Sequence, residues 1–591
     1  KNQLPTYIYH YLLVSNENVF PGDAIARSTE CNVTVRIESG WICGCSRRTE
    51  GGGLYASFRG VPYAKQPLRE LRFKELQPAE PWEGYLDVSA EGPICPQNDV
   101  LYGRVMQPRN MSEACIHANV HVPIHALPAP HKPKTNLPIL VFVHGGGFAF
   151  GSGDSDLHGP EYLVQRGMIV ITFNYRLNVF GYLSLNSSKI PGNNGLRDIV
   201  TLLRWVKTNA KYFGGNPADI TLAGQSAGAA NVHLLTLSKA AKGLFRRAIM
   251  MSGTAIPTFY TTSPIYAQFV GQLFLTSLGI NTTDPDEAHQ RLTQLPIEQI
   301  MQVNQILQDK IGVTLFLPVV ETSFPGVTTI IDDDPEILLA NGTGKDIPLL
   351  VGFTNAECEI FRLNFENLDM LARIKENPLL ILPIDLIYKL PQKEALASAQ
   401  RLEKLYFGGA STMDKYVNAC TDIYYIYPAL KLAKIRMSMK DAAPMFLYQF
   451  SYDAVFNVFK KVKGLEFDGA SHIEDLTFIF KTNSMQDEQG FYPPAAKDHT
   501  MSLWMTTFVN SATLEEVEIE YLCDDNLFLN IIFSEPTCKR FHVSPWPSVT
   551  QRATIHYQNI QDPSFYRYEE ITQDRHDMVQ LIEELQNKTR T

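Results

Sequence analysis

Residues 219–235 read DITLAGQSAGAANVHLL. The apolar run Ile220–Ala223 predicts a buried strand, and Ala229–Leu235 predicts a helix. Gly224–Gly228 lies between them and matches the pattern G-x-S-x-G, which requires a strand, a sharp turn and a helix in that order. A surface turn is the alternative, because the bare pattern arises by chance in roughly one chain in five of this length. The context favours a catalytic nucleophile, Ser226, at a helix start that favours negative charge.

Apolar runs elsewhere in the chain alternate with helical patterns, which is typical of an α/β sheet. Their nearly continuous apolar character predicts strands buried on both faces. The clearest runs are Pro138–Val143, Met168–Phe173, Arg247–Met251 and Ile347–Val351. Helical spacing predicts a helix across Leu196–Val206 and a helical cap within Thr262–Ile311. We therefore predict an α/β-hydrolase fold, in which helices flank a large, mostly parallel central sheet and further helical insertions form a cap.

The chain of 591 residues is predicted to contain one catalytic domain, because the motifs that carry its chemistry are spread along most of its length. Residues 1–34 have no regular pattern and are interpreted as an irregular N-terminal extension, which leaves residues 35–591 for the domain. Residues 514–543 form an unusually long interval between the helix expected around Trp504 and Pro545–Pro547. We interpret this interval as an insertion, and a segment that is not found in every form of the gene product is the alternative.

The composition is that of a globular protein, with 45% hydrophobic and 19% charged residues. A net charge of -10 argues against nucleic acid as a partner, and no apolar run is long enough to span a membrane. Nine cysteines and several Asn-x-Ser/Thr acceptors favour a secreted, extracellular protein. The glycosylation candidates are Asn32, Asn110, Asn186, Asn281, Asn341 and Asn587. We expect no metal and no cofactor, and the pattern indicates no particular oligomeric state.

A glycine loop follows the strand predicted to end at Val143. His144–Phe148 reads HGGGF, and its consecutive glycines leave backbone N–H groups unobstructed. Such groups can point at a carbonyl oxygen that becomes negative in a tetrahedral intermediate, and the same motif serves lipases and esterases. A flexible loop is the alternative. The preceding buried strand favours an oxyanion hole, to which the N–H of Ala227 would also contribute.

The general base and its acid follow from the order of the triad in this fold, which is Ser, then Asp or Glu, then His. His472 lies in a turn of small residues before Leu476–Phe480, an apolar segment that predicts a helix. We interpret it as the base, although an arbitrary histidine is more often solvated or structural. The acid should follow a strand between Ser226 and His472. Glu357 has that position, and nearby Glu359 is its main competitor.

Together these motifs resemble those of type-B carboxylesterases, the carboxylesterase/cholinesterase family. The resemblance extends from about Val35 to Pro547. Besides the site motifs, it rests on Phe58–Ala64, Leu71–Phe73, Ser112–Cys115, Asn174–Arg176 and Phe213–Gly215. It implies a serine carboxylesterase that hydrolyses small to medium apolar carboxylic esters through an acyl-enzyme on Ser226.

The resemblance also implies details of the site and of the crosslinks. Gly146, Gly147 and Ala227 would donate to the oxyanion at the base of a gorge. Cys95 and Cys115 would form the first disulfide of the family and contribute about 3 kcal/mol by restricting the unfolded chain. These assignments follow from the family pattern rather than from the spacing of the residues alone.

The other cysteines have no clear partners. Cys523 and Cys538 are close in sequence, and the rest are Cys31, Cys43, Cys45, Cys358 and Cys420. An odd total predicts at least one unpaired thiol or an intermolecular bond. A metal site at Cys43-Gly-Cys45 is not favoured, because a second pair of ligands is lacking. Near the first disulfide, Ala114 replaces the aspartate of the family, and we predict that Glu113 pairs with Arg72.

Two segments, Gly151–Pro160 and Gly352–Cys358, resemble insect esterases, in particular those of Lepidoptera. Cholinesterases carry a tryptophan in the first disulfide loop to bind quaternary ammonium by cation–π attraction, and the interval from Cys95 to Cys115 contains none. Residues near Gly312–Thr314 are small where cholinesterases have bulky aromatics. Choline esters are therefore rejected as the main substrate.

Gln225 resembles the corresponding residue of juvenile hormone esterases, whose turn reads G-Q-S-A-G. Those enzymes have Asp-Gln in the preceding helix, where this chain has Asp198-Ile199. Juvenile hormone is therefore an alternative that the sequence does not favour. Two further hypotheses stay open: a protein that traps esters or organophosphates stoichiometrically, and a non-catalytic, neuroligin-like binding protein.

Overall fold

The computed structural model describes residues 31–588 of the chain, with several gaps. The gaps are residues 50, 107–108, 129–134, 257–259, 313, 384–385, 388–389, 410, 455–456, 486–547, 552 and 563–564. Most of the predicted N-terminal extension, the predicted insertion at 514–543, and both Cys523 and Cys538 therefore lie outside the described residues. The two proposed boundaries remain predictions.

A sheet of 13 strands forms the centre of the described structure. In chain order the strands are β1 (Val33–Ile37), β2 (Gly40–Arg48), β3 (Leu54–Pro62), β4 (Tyr85–Asp87), β5 (His117–Pro123), β6 (Leu137–Val143), β7 (Ile169–Phe173), β8 (Gly215–Gln225), β9 (Arg247–Met251), β10 (Leu349–Thr354), β11 (Met445–Phe450), β12 (His556–Asp562) and β13 (Phe565–Glu570). Their order across the sheet is β1-β2-β3-β5-β7-β6-β8-β9-β10-β11-β12-β13, and β4 pairs with β2.

The centre of the sheet is parallel and its two ends are antiparallel. Neighbouring strands from β7 across to β12 run parallel, whereas β1, β2, β3, β5 and β7 pair antiparallel, as do β12 and β13. Every residue of β7, β9, β10 and β11 is buried, because helices cover both faces of a parallel sheet. The predicted α/β-hydrolase fold is confirmed.

Helices flank the sheet and form the cap. They are α1 (Glu161–Val164), α2 (Asn178–Tyr182), α3 (Asn194–Asn209), α4 (Ala227–Thr236), α5 (Pro264–Ser277), α6 (Pro285–Gln294), α7 (Ile297–Ile311), α8 (Pro335–Ala340), α9 (Arg362–Asn367), α10 (Met370–Glu376), α11 (Gln392–Phe407), α12 (Met413–Thr421), α13 (Tyr427–Ser438), α14 (Val458–Lys463) and α15 (Gln573–Lys588). A π-helical turn, Asp422–Ile426, joins α12 to α13. The predicted helix at Leu196–Val206 lies within α3, and α5 to α7 form the predicted cap.

Local signals begin the cap helices. Ser263 caps α5 by accepting a hydrogen bond from the N–H of Tyr266, and Pro264 is the first helical residue. Asp284 caps α6 in the same way, again followed by proline. A capping side chain satisfies one of the N–H groups that a helix leaves unpaired at its start, and proline has no such group to lose.

The helix predicted at Leu476–Phe480 is wrong in type and position. The chain forms a 3-10 turn over Glu474–Phe478 instead. Ile473 has a positive φ of 81° just before this turn, and the backbone of Lys481 pairs with Gly159 soon after it. The segment must become extended within a few residues of its start, so no longer helix can form there.

Buried ion pairs connect α3 to two other segments of the chain. The side-chain Nε of Arg176 donates to Asp198 at 2.8 Å, and Arg197 pairs with Glu321. Both pairs are almost completely buried, so removing one partner would leave an uncompensated charge. The predicted pair of Arg72 and Glu113 is confirmed, with Nε of the arginine 2.6 Å from a carboxylate oxygen.

Three disulfides crosslink the described part of the chain. They join Cys31 to Cys43, Cys95 to Cys115, and Cys358 to Cys420. Cys45 is a buried free thiol whose sulfur lies near the carbonyl oxygens of Ser57 and Ser89. The sequence pattern left the first and third of these pairings open.

Candidate active site

Ser226 lies in the sharp turn between β8 and α4. Its backbone has φ 57° and ψ −127°, a conformation that stores strain in a residue with a side chain. A Cβ on Gly224 would lie 2.5 Å from the backbone of Gly228, and a Cβ on Gly228 would lie 2.2 Å from the carbonyl oxygen of Val143. Glycine at both positions therefore lets the turn form and presents the Ser226 side chain at the carboxyl end of the parallel strands.

The glycine loop after β6 lies against this turn. A Cβ on Gly145 would be 3.1 Å from the Cβ of Ser226, so the two segments are in close contact. Gly146 and Gly147 have φ angles of 104° and 61°, which glycine adopts at little cost. Within the described ranges, no hydrogen bond occupies the N–H groups of Gly146, Gly147 or Ala227. These three groups are available to an acceptor beside Ser226.

His472 and Glu357 form a buried hydrogen-bonded pair. Nδ1 of His472 is 2.6 Å from Oε2 of Glu357, and the other carboxylate oxygen accepts from the N–H of Thr354 at 2.7 Å. Glu359, the competitor named from the sequence, instead accepts from Nε of Arg362 at 2.6 Å. Glu357 therefore occupies the position from which an acid can hold the imidazole.

Ser226 and His472 each contact a different polar side chain, and no hydrogen bond joins the two within the described part of the chain. Oγ of Ser226 is 3.2 Å from the hydroxyl oxygen of Tyr260, and Nε2 of His472 is 3.1 Å from Nε2 of Gln225. A neutral imidazole that donates Nδ1–H to Glu357 has Nε2 as its acceptor, so the amide of Gln225 donates to it.

The roles of these two contacts were not predicted from the sequence. From the sequence, Gln225 was notable only for its resemblance to juvenile hormone esterases. Its position next to the nucleophile could have indicated that its side chain contacts the site. Tyr260 follows β9 by nine residues and belongs to no motif, so no pattern in the sequence marks it.

Aromatic side chains enclose the imidazole. The ring centroid of Tyr425 is 4.8 Å from that of His472, and the centroid of Phe361 is 6.2 Å from it. Tyr425 lies on the π-helical turn, a feature found frequently at functional sites. The disulfide Cys358–Cys420 links the turn that carries the acid to the end of α12. One crosslink therefore supports both the acid and the aromatic wall.

Two further carboxyl groups lie just after the imidazole in the chain, and both are fully buried. Burial raises the pKa of Glu474 to about 8 and the pKa of Asp475 to about 6. Glu474 accepts from the N–H of Lys460 at 2.7 Å, and Asp475 accepts from the hydroxyl of Tyr448 at 2.8 Å, which only partly offsets the cost of burial. Glu474 is therefore largely uncharged at neutral pH.

A model of the carboxylesterase family matches residues 32–574, which include the strained serine turn, the glycine loop and the buried His–Glu pair. The chain belongs to the carboxylesterase family. It is accordingly a serine hydrolase of carboxylic esters, and its substrate is a small-molecule ester. The family and the reaction that the sequence motifs predicted are both confirmed.

The relatives of this carboxylesterase include several insect esterases. Juvenile hormone esterase of Heliothis virescens is 50% identical over 560 residues, which cover 94% of this chain and 95% of that protein. A crystal structure of juvenile hormone esterase from Manduca sexta, with OTFP covalently attached, matches with a TM-score of 0.85 and 52% identity, over 94% of this chain and 99% of that one. Esterase FE4 of Myzus persicae is 31% identical, over 75% of this chain and 78% of that protein. The predicted likeness to lepidopteran esterases is confirmed.

The described residues of this carboxylesterase contain no helix that is long and apolar enough to cross a membrane. They also contain no group of three or more His, Cys, Asp or Glu side chains arranged to hold a metal ion. Cys43, which the sequence offered as half of a weak metal pattern, is bonded to Cys31.

Proposed function

We propose that this carboxylesterase hydrolyses juvenile hormone. The observation that carries the proposal is the similarity of almost the whole chain to two juvenile hormone esterases, at 50% and 52% identity. Identity to esterase FE4 is only 31%. Since a pocket is built from residues spread along the chain, near-full-length similarity at this level favours a shared substrate over a merely shared reaction.

The sequence argument against this hormone rested on Ile199. That side chain is fully buried in the hydrophobic core, within α3. Its neighbour Asp198 is held by Arg176 in a buried ion pair. A core residue of this kind affects packing more directly than substrate specificity. The difference from juvenile hormone esterases at Ile199 is therefore not an argument against juvenile hormone as the substrate. Gln225, the feature shared with juvenile hormone esterases, contacts His472 directly.

The proposed nucleophile is Ser226, with His472 as general base and Glu357 as the acid that holds the base. Oγ of Ser226 must turn from Tyr260 toward Nε2 of His472, and contacts of this kind are often loose before substrate binds. The imidazole then takes the serine proton as Oγ attacks the ester carbonyl. The buried carboxylate of Glu357 keeps the proton of neutral His472 on Nδ1 and stabilises the imidazolium.

The tetrahedral intermediate carries a negative oxygen, for which the proposed donors are the N–H groups of Gly146, Gly147 and Ala227. Each of these groups is unoccupied in the described structure and lies beside the serine turn. Removing one such donor typically costs about 3 kcal/mol of transition-state stabilisation. Collapse of the intermediate expels the alcohol, and water then hydrolyses the acyl group on Ser226.

We further propose that the protein is exported and glycosylated. Three disulfides in the described part of the chain favour an oxidising compartment. Five of the acceptor asparagines have exposed side chains, namely Asn32, Asn110, Asn186, Asn281 and Asn341. The side chain of the sixth, Asn587, is not among those described.

Hydrolysis by protein from a secretory host tests the proposal. The substrates are juvenile hormone and p-nitrophenyl butyrate, and the matched variant is Ser226→Ala. We expect sustained turnover of both substrates that Ser226→Ala lacks, with a higher kcat/KM for juvenile hormone than for p-nitrophenyl butyrate. Sustained turnover of p-nitrophenyl butyrate alone would contradict juvenile hormone as the substrate but would leave the esterase activity supported. A single burst equal to the enzyme concentration would instead favour a protein that traps esters.

A further inference from the structure

The hydroxyl of Tyr260 contacts the oxygen that becomes acylated. It lies 3.2 Å from Oγ of Ser226 and 3.3 Å from the carbonyl oxygen of Ser252. The ring is almost completely buried and packs edge-on against Phe148 of the glycine loop, with centroids 5.9 Å apart. A fixed ring beside a fixed loop keeps this hydroxyl next to the serine throughout the reaction.

A second tyrosine orients the first. The hydroxyl groups of Tyr425 and Tyr260 are hydrogen-bonded to each other, and the Tyr425 ring also packs on His472. The hydroxyl of Tyr260 donates to the carbonyl oxygen of Ser252, and its contact with Oγ of Ser226 can be donated by either oxygen. Burial raises the pKa of Tyr260 and of Tyr425 above the usual value for tyrosine, so both hydroxyls keep their protons at working pH.

We propose that Tyr260 is a further catalytic residue, which donates a hydrogen bond to Oγ of Ser226 when the acyl-enzyme is hydrolysed. The inference rests on the proposed function, because it requires an acyl group on Ser226. The hydroxyl hydrogen turns from the carbonyl oxygen of Ser252 to Oγ, and the tyrosine oxygen does not have to move.

The chemistry of the two half-reactions determines where this contact helps. In hydrolysis of the acyl-enzyme, His472 takes a proton from water as the water oxygen bonds to the acyl carbon. The bond from that carbon to Oγ of Ser226 then breaks, and His472 returns the proton to Oγ. Negative charge grows on Oγ as the bond breaks, so a donor from Tyr260 stabilises this step. The tyrosine keeps its own proton throughout.

In the first half-reaction the same bond forms, and Oγ again carries partial negative charge in the transition state. Oγ begins that step as a neutral hydroxyl already in contact with Tyr260, so the gain in acylation is smaller than in deacylation, where Oγ begins as a weakly accepting ester oxygen. This difference separates a catalytic contact from a structural one, because a structural defect would slow both steps alike.

The test is Tyr260→Phe, followed by stopped-flow hydrolysis of p-nitrophenyl acetate beside the unmodified enzyme. We expect a burst close to one equivalent of enzyme and a steady-state kcat reduced on the order of tenfold, the value of about one hydrogen bond. Because deacylation is slowed more than acylation, KM should fall with kcat, and kcat/KM should fall by a smaller factor than kcat. Tyr425→Phe should change kcat in the same direction by a smaller factor.

Tyr63→Phe is the matched control, since it also removes a buried hydroxyl, one that donates to the carbonyl oxygen of Asn174 at 2.7 Å. Its kinetic constants should equal those of the unmodified enzyme. Unchanged constants in Tyr260→Phe, or a fall in kcat/KM without a burst, would overturn the inference and leave the proposed function intact. A burst without turnover in the unmodified enzyme would contradict both the role of Tyr260 and the proposed function.

Discussion

At the scale of single residues, both carboxylate oxygens of Glu357 are held by hydrogen bonds. Its carboxylate is buried, with one oxygen on His472 and the other on the N–H of Thr354. Glu357→Gln keeps the shape of the side chain but removes the charge that stabilises an imidazolium and presents a donor to Nδ1. We expect kcat for p-nitrophenyl butyrate to fall by about 10⁴-fold while the protein stays folded, as for other triad acids.

Glu359→Gln is the control for that variant. It lies two residues away and disturbs only the pair with Arg362, so kcat should stay close to that of the unmodified enzyme. Equal losses in the two variants would contradict the assignment of Glu357. Circular dichroism and the midpoint of thermal unfolding would report whether either protein is misfolded.

Glu474 gives a prediction for stability against pH. Its pKa is about 8 in the folded protein because of burial, against about 4.3 for a glutamate in an unfolded chain. The folded state therefore holds a proton that the unfolded state releases between these values. Its contribution to stability is complete below about pH 4.3 and is lost as the pH rises through about 8.

Glu474→Gln removes this titration. We expect the midpoint of thermal unfolding of the unmodified protein to fall relative to that of the variant between pH 5 and 8, and the difference to become constant above about pH 9. Differential scanning calorimetry of both proteins at each pH measures these midpoints. The control is Glu70→Gln, an exposed glutamate, whose curve should run parallel to that of the unmodified protein. A parallel curve for Glu474→Gln would contradict the prediction.

Residue patterns revealed the proposed catalytic side chains to different extents. Ser226, the glycine loop, Glu357 and His472 could be named from the sequence, because each lies in a local pattern that the chemistry demands. Tyr260 could not be named. Its contact with the serine depends on how the segment after β9 folds back over the glycine loop, which no local pattern encodes.

Among the elements, the π-helical turn between α12 and α13 depends on a crosslink. The disulfide Cys358–Cys420 closes an interval of 62 residues, which the chain-entropy model values at roughly 4 kcal/mol. It also joins the acid turn to the helix that precedes Tyr425. Replacing both cysteines with serine should therefore lower kcat as well as the midpoint of thermal unfolding.

The disulfide Cys95–Cys115 supplies the comparison, because it closes a shorter interval of 20 residues. In the variant with both of these cysteines replaced by serine, the free energy of unfolding should fall by a similar amount, roughly 3 kcal/mol. Its kcat, measured well below the temperature of unfolding, should be almost unchanged. Urea unfolding and p-nitrophenyl butyrate turnover measure the two effects. Equal losses of kcat in both variants would contradict the idea that the disulfide Cys358–Cys420 supports the turn that carries Glu357.

Elements differ in how well the sequence predicts them. The runs that predicted β6 to β10 are apolar because a parallel strand is buried on both faces. The antiparallel strands β1 to β3 are partly exposed, so their pattern is weaker and no strand was assigned to them individually. The helix predicted after His472 failed because backbone pairing of Lys481 with Gly159 overrides the local apolar pattern.

For the whole molecule, export predicts glycans on the exposed acceptors. Protein from an insect secretory host should lose mass on treatment with an N-glycosidase, measured by intact mass spectrometry. Asn110→Gln should lower the initial mass by one glycan, because Asn110 is exposed and lies in a loop. Asn98→Gln is the control, since Asn98 is outside any acceptor triplet and should leave the number of glycans unchanged. An unmodified mass for the secreted protein would contradict the prediction.

The disulfide between Cys31 and Cys43 has a consequence for the molecule in solution. It fastens β1 to β2 at one margin of the sheet, where β1 is the outermost strand. A strand at such a margin offers unpaired backbone groups to any other extended chain, and detachment of β1 would uncover a longer one, β2. The disulfide thus does more than stabilise the fold. As long as it is intact, it keeps β1 in place and the edge of β2 covered.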